Sequence, residues 1–349
     1  NNYNMINDKS FINNLNYSNP LNIKLLSNIT KDSYSSHFLD NTFCVFKSLI
    51  NDALYLVYST KTISIICFNM IDNKKISEIK NAHEKYISNF RYYFDKMNKR
   101  DLVISISSID NNLKLWNINN LECLYNFKKI NSIGRLISAC FLKDNNINYI
   151  LSSNSNYPND CEPIKLFELN GNQLKVLNHS NDNTFFIDTF YNKRISKTYI
   201  ITGNYGYIKS YDYIDDSLYH KYDGNDNRRH YSLVINDNEK DDKIKLIDSS
   251  CSGIIRIWDF NSGELLSKIN VDDNMIYSVC LWNCNYLFIG CMDNTIKLID
   301  LIKGEIIKDL TECDNFIICV KKVKHPKYGE CLISQGLGKE QIKIWINSQ

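Results

Sequence analysis

The stretch that decides the fold is "SGIIRIWDFNSGELLSKI", Ser252 to Ile269. Ile255 and Ile257 alternate with Ile254 and Arg256, Trp258 and Asp259 follow, Asn261, Ser262 and Gly263 supply turn chemistry, and a second strand-like run closes the segment. That pattern reads as two strands joined by a tight turn. Taken alone, a Trp, an Asp and an Arg so close together invite a search for an active site. Laid over the rest of the chain, the stretch reads instead as one copy of a unit.

The strand, turn and second strand occur at six places, and a seventh copy holds the first strand only. They are "TISIICFNMIDNKKISEI" from Thr62, "NLKLWNINNLECLYNF" from Asn112, "PIKLFELNGNQLKVL" from Pro163, "YIKSYDYIDDSLYHKY" from Tyr207, the opening stretch, "TIKLIDLIKGEIIKDL" from Thr295 and "QIKIWINSQ" from Gln341. In this alignment Ile66, Trp116, Phe167, Tyr211, Ile299 and Trp345 hold the position of Trp258, at intervals of 41 to 51 residues. A period near forty to fifty with four strand-like segments is the signature of a β-propeller, because a four-stranded blade buries neither face alone and must stack on its neighbours around an axis. Two residues before the large apolar position stands a basic residue: Lys114, Lys165, Lys209, Arg256, Lys297 or Lys343. Strand alternation sends these long chains to one face and the flanking apolar residues to the other. Asn117, Glu168, Asp212, Asp259 and Asp300 follow the large residue, and Asp259 is expected to close the turn into the next strand.

On these residues, "IIRIWDFNSGELL" above all, the chain resembles the WD-repeat (WD40) family over roughly residues 20 to 349. The resemblance is strong in the blades ending near Phe127, Ile269 and Leu310 and degenerate elsewhere. It implies a structural hydrogen-bond network in the second blade among His83, Asp110, Trp116 and a hydroxyl, with Ser108 as the nearest match. Asp293 matches the turn Asp of another blade, but Ile299 replaces the Trp there.

Apolar runs at "TFCVF", "YISNF", "RLISACF", "TFFIDTF", "HYSLVI", "MIYSVCL" and "NFIICV" supply seven inner strands. The expected fold is therefore all-β, a seven-bladed propeller of four-stranded antiparallel blades. The seventh period lacks its outer strand, and an open edge of that kind invites aggregation. "NIKLLSNI", Asn22 to Ile29, is expected to fill it by pairing near Ile344, so that a strand at about 21–29 closes the ring. Residues 1–19 read as an Asn-rich tether and 20–349 as a single propeller; the opening "NNYNMINDKSF" has no initiator Met and reads as the start of a domain cut from a longer protein. "RYYFDKMNKRD", "SNSNYPNDCEP", "DGNDNRR" and "NDNEKDDK" are placed in surface loops.

Composition narrows the function. With 44% apolar and 12% aromatic residues the chain can build a packed core. A net charge of +2 lacks the concentrated basic surface that bulk nucleic-acid binding needs. Twelve cysteines lie scattered in apolar runs without CxxC spacing, which points to free thiols in a reducing compartment, expected to be cytoplasmic, with a nuclear or cytoskeleton-associated setting as the alternatives. No apolar run approaches the roughly eighteen residues a membrane span requires.

No catalytic constellation stands out. GxxxxGK[ST], GxGxxG and GxSxG are absent, "GLGKEQ" from Gly336 reads as a turn, and the six histidines lack metal-ligand spacing. The reading is a non-enzyme with no metal and no cofactor. In a ring of blades the loops leading into the inner strands converge on one face, and alignment nominates Thr42, Tyr86, Arg135, Phe185, His230, Met275 and Phe316 there. Aromatic, Met and Arg side chains of this kind concentrate in binding surfaces. Two occupants are considered for that face. Tyr86, Phe185 and Phe316 could cage a modified Lys; Arg228 and Arg229 beside His230 could hold an acidic or phosphorylated peptide. The expected role is a protein-interaction scaffold within a larger chain or complex. The alternatives are the binding domain of a cytoskeletal motor or trafficking protein, a ubiquitin-ligase substrate receptor, and a phosphoinositide- or RNA-binding propeller.

Overall fold

A computed structural model describes residues 20–347 apart from 31, 36–40, 129, 145–146, 160, 178–181, 272–274 and 340. The expected tether at 1–19 lies outside the described residues. Each period folds as one four-stranded antiparallel sheet with its strands in chain order, giving blades at 43–79, 89–127, 135–176, 184–223, 230–270 and 276–310. The seventh blade combines Ile317–His325, Gly329–Gly336 and Lys343–Asn347 with Ile23–Asn28, which supplies the outer strand.

The core is divided among the gaps between blades. Trp258 packs with Tyr199, Tyr222 and Phe260 between the fourth and fifth blades, whereas Ile255 and Ile257 of the same strand join Ile276, Val279 and Ile289 on the sixth. Strand alternation thus commits one strand to two different cores. Trp116 closes the gap between the first and second blades, and Trp345 packs with Trp282 between the sixth and seventh. The close approach of neighbours also fixes backbone. A Cβ at Gly203 would lie 2.6 Å from the His230 carbonyl oxygen, and one at Gly290 would lie 2.7 Å from that of Ile317, so both second strands need glycine where the next inner strand begins.

The latch pairs Ile23 with Asn347, Leu25 with Trp345, Ser27 with Ile344 and Asn28 with Lys343. Ile29 N–H adds a bond to the Ile342 carbonyl at 2.7 Å, and the Ile342 amide donates to Thr30 Oγ1 at 2.9 Å. Ile23 is fully buried in the core between the sixth and seventh blades. Lys308 of the sixth blade donates to the carbonyls of Leu21 and Ile23, so the latch is tied to two blades.

Two details differ from the sequence reading. In the first blade the counterpart of Trp258 is Phe68, not Ile66: Phe68 follows the same strand irregularity as Trp258, and Asn69 Oδ1 then accepts from Ile71 N and Asp72 N, as Asp259 Oδ1 accepts from Asn261 N and Ser262 N. A slip of two residues keeps every side chain on its own face, so the apolar pattern does not detect it. "RYYFDKMNKRD" is largely strand: the inner strand of the second blade runs Asn89–Asp95 and the next begins at Arg100. Its polar residues are consumed internally, with Asp95 binding Arg100 at 2.9 Å and Tyr92 donating to Asp101.

Deleting residues 20–30 removes the outer strand and a fully buried Ile23, and is expected to lower the thermal midpoint sharply. Ile23→Ala alone should cost about 2–5 kcal/mol in urea unfolding. Unchanged melting of the deletion would show that the latch does not hold the ring.

Candidate functional site

The face onto which the inner-strand loops open, here the upper face, is held by the repeated basic residue. Lys114 Nζ donates to the Ala82 carbonyl at 2.6 Å and Lys165 Nζ to that of Ile130 at 2.7 Å. Lys209 Nζ lies 2.6 Å from Asp182, Arg256 Nη2 lies 2.7 Å from Asp226, and Lys343 Nζ donates to the Glu312 carbonyl at 2.7 Å. Each acceptor sits in the loop leading into the inner strand of the same blade, so a long cation on the third strand staples that loop to the sheet. Lys297 departs from the rule and binds Asp293 and Asp309. Arg256 is 1% exposed, and a charge so buried persists because Asp226, also bonded by Ser250 and Ser252, neutralises it.

Beneath the loops lie three related tryptophan networks. In the second blade Trp116 Nε1 donates to Ser105 Oγ at 2.8 Å, and His83 Nε2 meets the same oxygen at 2.7 Å. The hydroxyl is thus Ser105 and not Ser108, which pairs with Ser88. Asp110 Oδ1 accepts from the Asn112 amide within its turn, as Asp293 accepts from Thr295. Trp345 donates to Ser334 at 2.8 Å in the seventh blade. In the fifth, Asp248 replaces the serine, taking Trp258 Nε1 at 2.7 Å on one oxygen and His230 Nδ1 at 2.6 Å on the other.

The nominated circle divides on burial. Thr42, Phe185 and His230 are buried: Thr42 donates to Gln335, His230 belongs to the Asp248 network, and Phe185 points to the axis. Tyr86 is half-buried against Tyr34, with ring centroids 5.1 Å apart. Met275 and Phe316 are half-buried, and Arg135 is exposed. Phe185 packs edge-on against Tyr231, with ring centroids 5.7 Å apart.

What gathers at the axis is a different set. In five inner strands the ladder skips one residue, and the skipped residues are Ile137, Phe185, Tyr231, Tyr277 and Ile318. A bulge re-aims its side chain, and these five cluster to plug the upper end of the channel. Arg229 lies over this plug. Its guanidinium is 5.2 Å from the Phe185 ring centre and 5.6 Å from that of Tyr157, and Nη1 donates to Tyr231 Oη at 3.2 Å. Tyr157, 45% exposed, stacks on Tyr205 at 4.5 Å. Tyr157 and Tyr205 come from the turns between second and third strands, which the sequence reading did not nominate; no periodic signal marks them. Arg135 and Arg228 stand exposed nearby in sequence and strand pairing, and among the described residues neither forms an ion pair. Asp182, Asp226 and Glu162 on the same loops are bound to Lys209, Arg256 and Lys165. Among the described residues, this surface is aromatic and carries Arg135, Arg228 and Arg229.

Among the described residues there is no group of three or more potential metal ligands, and no helix is long and apolar enough to cross a membrane. All twelve cysteines are free and nine are buried.

With this geometry in place, the comparisons with known proteins add one relative. A segment of 65 residues is 26% identical to the U3 small nucleolar RNA-associated protein 21 homolog of Schizosaccharomyces pombe. The match covers 19% of this chain and 7% of that protein. No family model matches the chain.

The second-blade network makes stability depend on pH. Burial, reinforced by the Lys114 ammonium, pulls the His83 pKa down from 6.5 to about 3. Unfolded His83 takes up a proton near 6.5 whereas folded His83 stays neutral until about 3, so its contribution is complete above 6.5 and is lost as pH falls towards 3. In His83→Gln that loss is absent. The stability gap between the two proteins should narrow by about 2 kcal/mol between pH 7.5 and pH 5 in urea titrations; a constant gap would show that His83 is not held neutral. Ser105→Ala strands two buried donors or acceptors and should cost about 1–3 kcal/mol at pH 7.5.

Proposed function

We propose that the chain is a WD-repeat propeller acting as a non-catalytic protein-interaction scaffold, which docks an acidic or phosphorylated segment of a partner on its upper face. The observation that carries this reading is the Tyr157, Tyr205 and Arg229 surface, assembled from three blades and flanked by the exposed Arg135 and Arg228. The exposed Tyr157 and half-buried Tyr205, beside arginines that form no ion pair among the described residues, suit a peptide that brings its own anions. The Trp116, Ser105 and His83 arrangement and the repeated Asp-closed turns support membership of the WD-repeat family.

The non-catalytic reading draws support from the most reactive-looking pair. His230 and Asp248 have the geometry of a base and its orienting carboxylate, but His230 is 2% exposed and, among the described residues, its Nε2 meets no hydroxyl or thiol. Its partner Trp258 makes the pair a packing device. Twelve free thiols suit a reducing, cytoplasmic setting. The relative's name associates that protein with an RNA, yet a match over 7% of its length is the size of one or two repeats and supports the shared repeat rather than the RNA role. Fold alone does not select a pathway.

A phosphopeptide array probed with the intact chain and with an Arg135→Ala, Arg228→Ala variant tests the assignment. Hydrogen bonds to charged groups contribute about 1.5–3 kcal/mol each, so the variant should lose at least tenfold in affinity while melting at the same temperature. Equal binding by both proteins would move the docking surface elsewhere. RNA binding that weakens steeply with salt, together with no peptide binding, would favour the nucleic-acid alternative.

A further inference from the structure

Asn119, Asn170 and Asn261 hold the same position in the lower-face turns between third and fourth strands of the second, third and fifth blades. Each stands two places after the last residue of its third strand, which is Asn117, Glu168 or Asp259. Their carboxamides are used differently. Asn119 is turned onto the second strand of its blade, where Oδ1 accepts from Asp101 N at 2.7 Å and Nδ2 donates to the Asp101 carboxylate at 2.9 Å. The exposed Asn170 folds over its own turn: Oδ1 accepts from Asn172 N at 3.0 Å and Nδ2 donates to Glu168 Oε2 at 3.0 Å. A carboxamide bonded to the amide two residues on lies alongside the intervening peptide, which brings Asn170 Cγ towards the Gly171 nitrogen.

Asn170 is also the one asparagine of the chain that precedes a glycine. Gly171 has a φ of 94°, and a Cβ there would overlap the Tyr125 ring of the second blade. Packing between blades therefore demands a glycine, and its nitrogen carries no side-chain screen. The Asn172 donor on Oδ1 sits where negative charge develops when a nucleophile adds to Cγ.

We propose that Asn170 is a self-modification site, at which the turn converts its own asparagine to aspartate and isoaspartate and so loosens the outer hairpin of the third blade. The site lies on the lower face and does not rest on the peptide surface. The Gly171 nitrogen attacks Asn170 Cγ, the N–Cγ bond forms, the Cγ–Nδ2 bond breaks, and Nδ2 leaves as ammonia with the Gly171 amide proton. One water then opens the cyclic imide and returns a proton to the nitrogen. Attack of that water at Cγ gives aspartate; attack at the backbone carbonyl carbon gives isoaspartate, whose main chain runs through Cγ and is longer by a methylene.

In the aspartate product a second carboxylate stands where Nδ2 lay 3.0 Å from Glu168 Oε2, so repulsion replaces a hydrogen bond. The hairpin has little to resist it. Its strands, Lys165–Glu168 and Gln173–Val176, have four residues each and pair at Lys165 with Val176, Leu166 with Lys175 and Phe167 with Gln173.

The intact chain, aged in mildly alkaline buffer and mapped by trypsin digestion and mass spectrometry, supplies the test. Peptides 166–175 and 257–268 carry Asn170 and Asn261, and fragmentation places the modified residue. Asn170 should convert at least tenfold faster than Asn261, which is exposed at the same turn position but precedes Ser262. Equal or slower conversion would overturn the proposal, as would aspartate without isoaspartate, the mark of direct hydrolysis. Amide hydrogen exchange across 173–176 should quicken at least threefold in the aged parent and in Asn170→Asp, and should stay constant in aged Asn170→Ser, which cannot form the ring. Unchanged exchange in the aged parent and in Asn170→Asp, or equal quickening in Asn170→Ser, would overturn the loosening.

Discussion

A twisted sheet of four strands with two apolar faces has no stable existence by itself. Every blade here depends on a neighbour on each side, and only a closed ring gives all of them two neighbours. That constraint explains why Trp258, Phe68 and Trp345 lie between blades rather than inside a single central core. It also explains why the seventh blade takes its outer strand from the beginning of the chain. Without Ile23–Asn28 the third strand of that blade would be an unpaired edge, and the core around Trp345 would lose Ile23 and Leu25.

Closure has a second requirement at the axis, where seven inner strands turn backbone towards one another. Neighbours meet part of that requirement. Ser232 Oγ accepts from Val279 N, Ser278 Oγ accepts from Val320 N, Thr189 donates to the Phe141 carbonyl, and Arg91 caps two further carbonyls. These bonds cross from blade to blade, so the channel wall is knitted by side chains where no ladder can form. Arg91 thus ties the second blade to the third and fourth with one side chain.

The ring, its seven blades and the latch were legible because they rest on period and alternation, which survive heavy divergence of individual residues. Exact register was less so. Ile66 and Phe68 are interchangeable to a pattern of period two, and only the turn chemistry of Asn69 separates them. The serine beneath Trp116 depended on which residue of the second strand faces the tryptophan, and Ser105 and Ser108 differ by an odd number of positions. The axial face was least visible. Single-residue bulges in five inner strands re-aim one side chain each, so alignment by apolar runs nominates His230, one residue before the axial Tyr231, and Met275, two residues before the axial Tyr277. The basic residue on the third strand was visible as a repeat, but its role as a staple required knowing which loop folds back above it.

The latch also sets how the molecule responds to being pulled. Ile23 stands opposite Asn347, so the described chain leaves the ring at both ends from the same end of one antiparallel pair. Tension applied between those two points would open the pair bond by bond from that end, in the manner of a zipper, instead of loading its hydrogen bonds together in shear. A ring held by seven shared cores is therefore peelable along one seam, and the direction of load, more than its size, decides whether it opens.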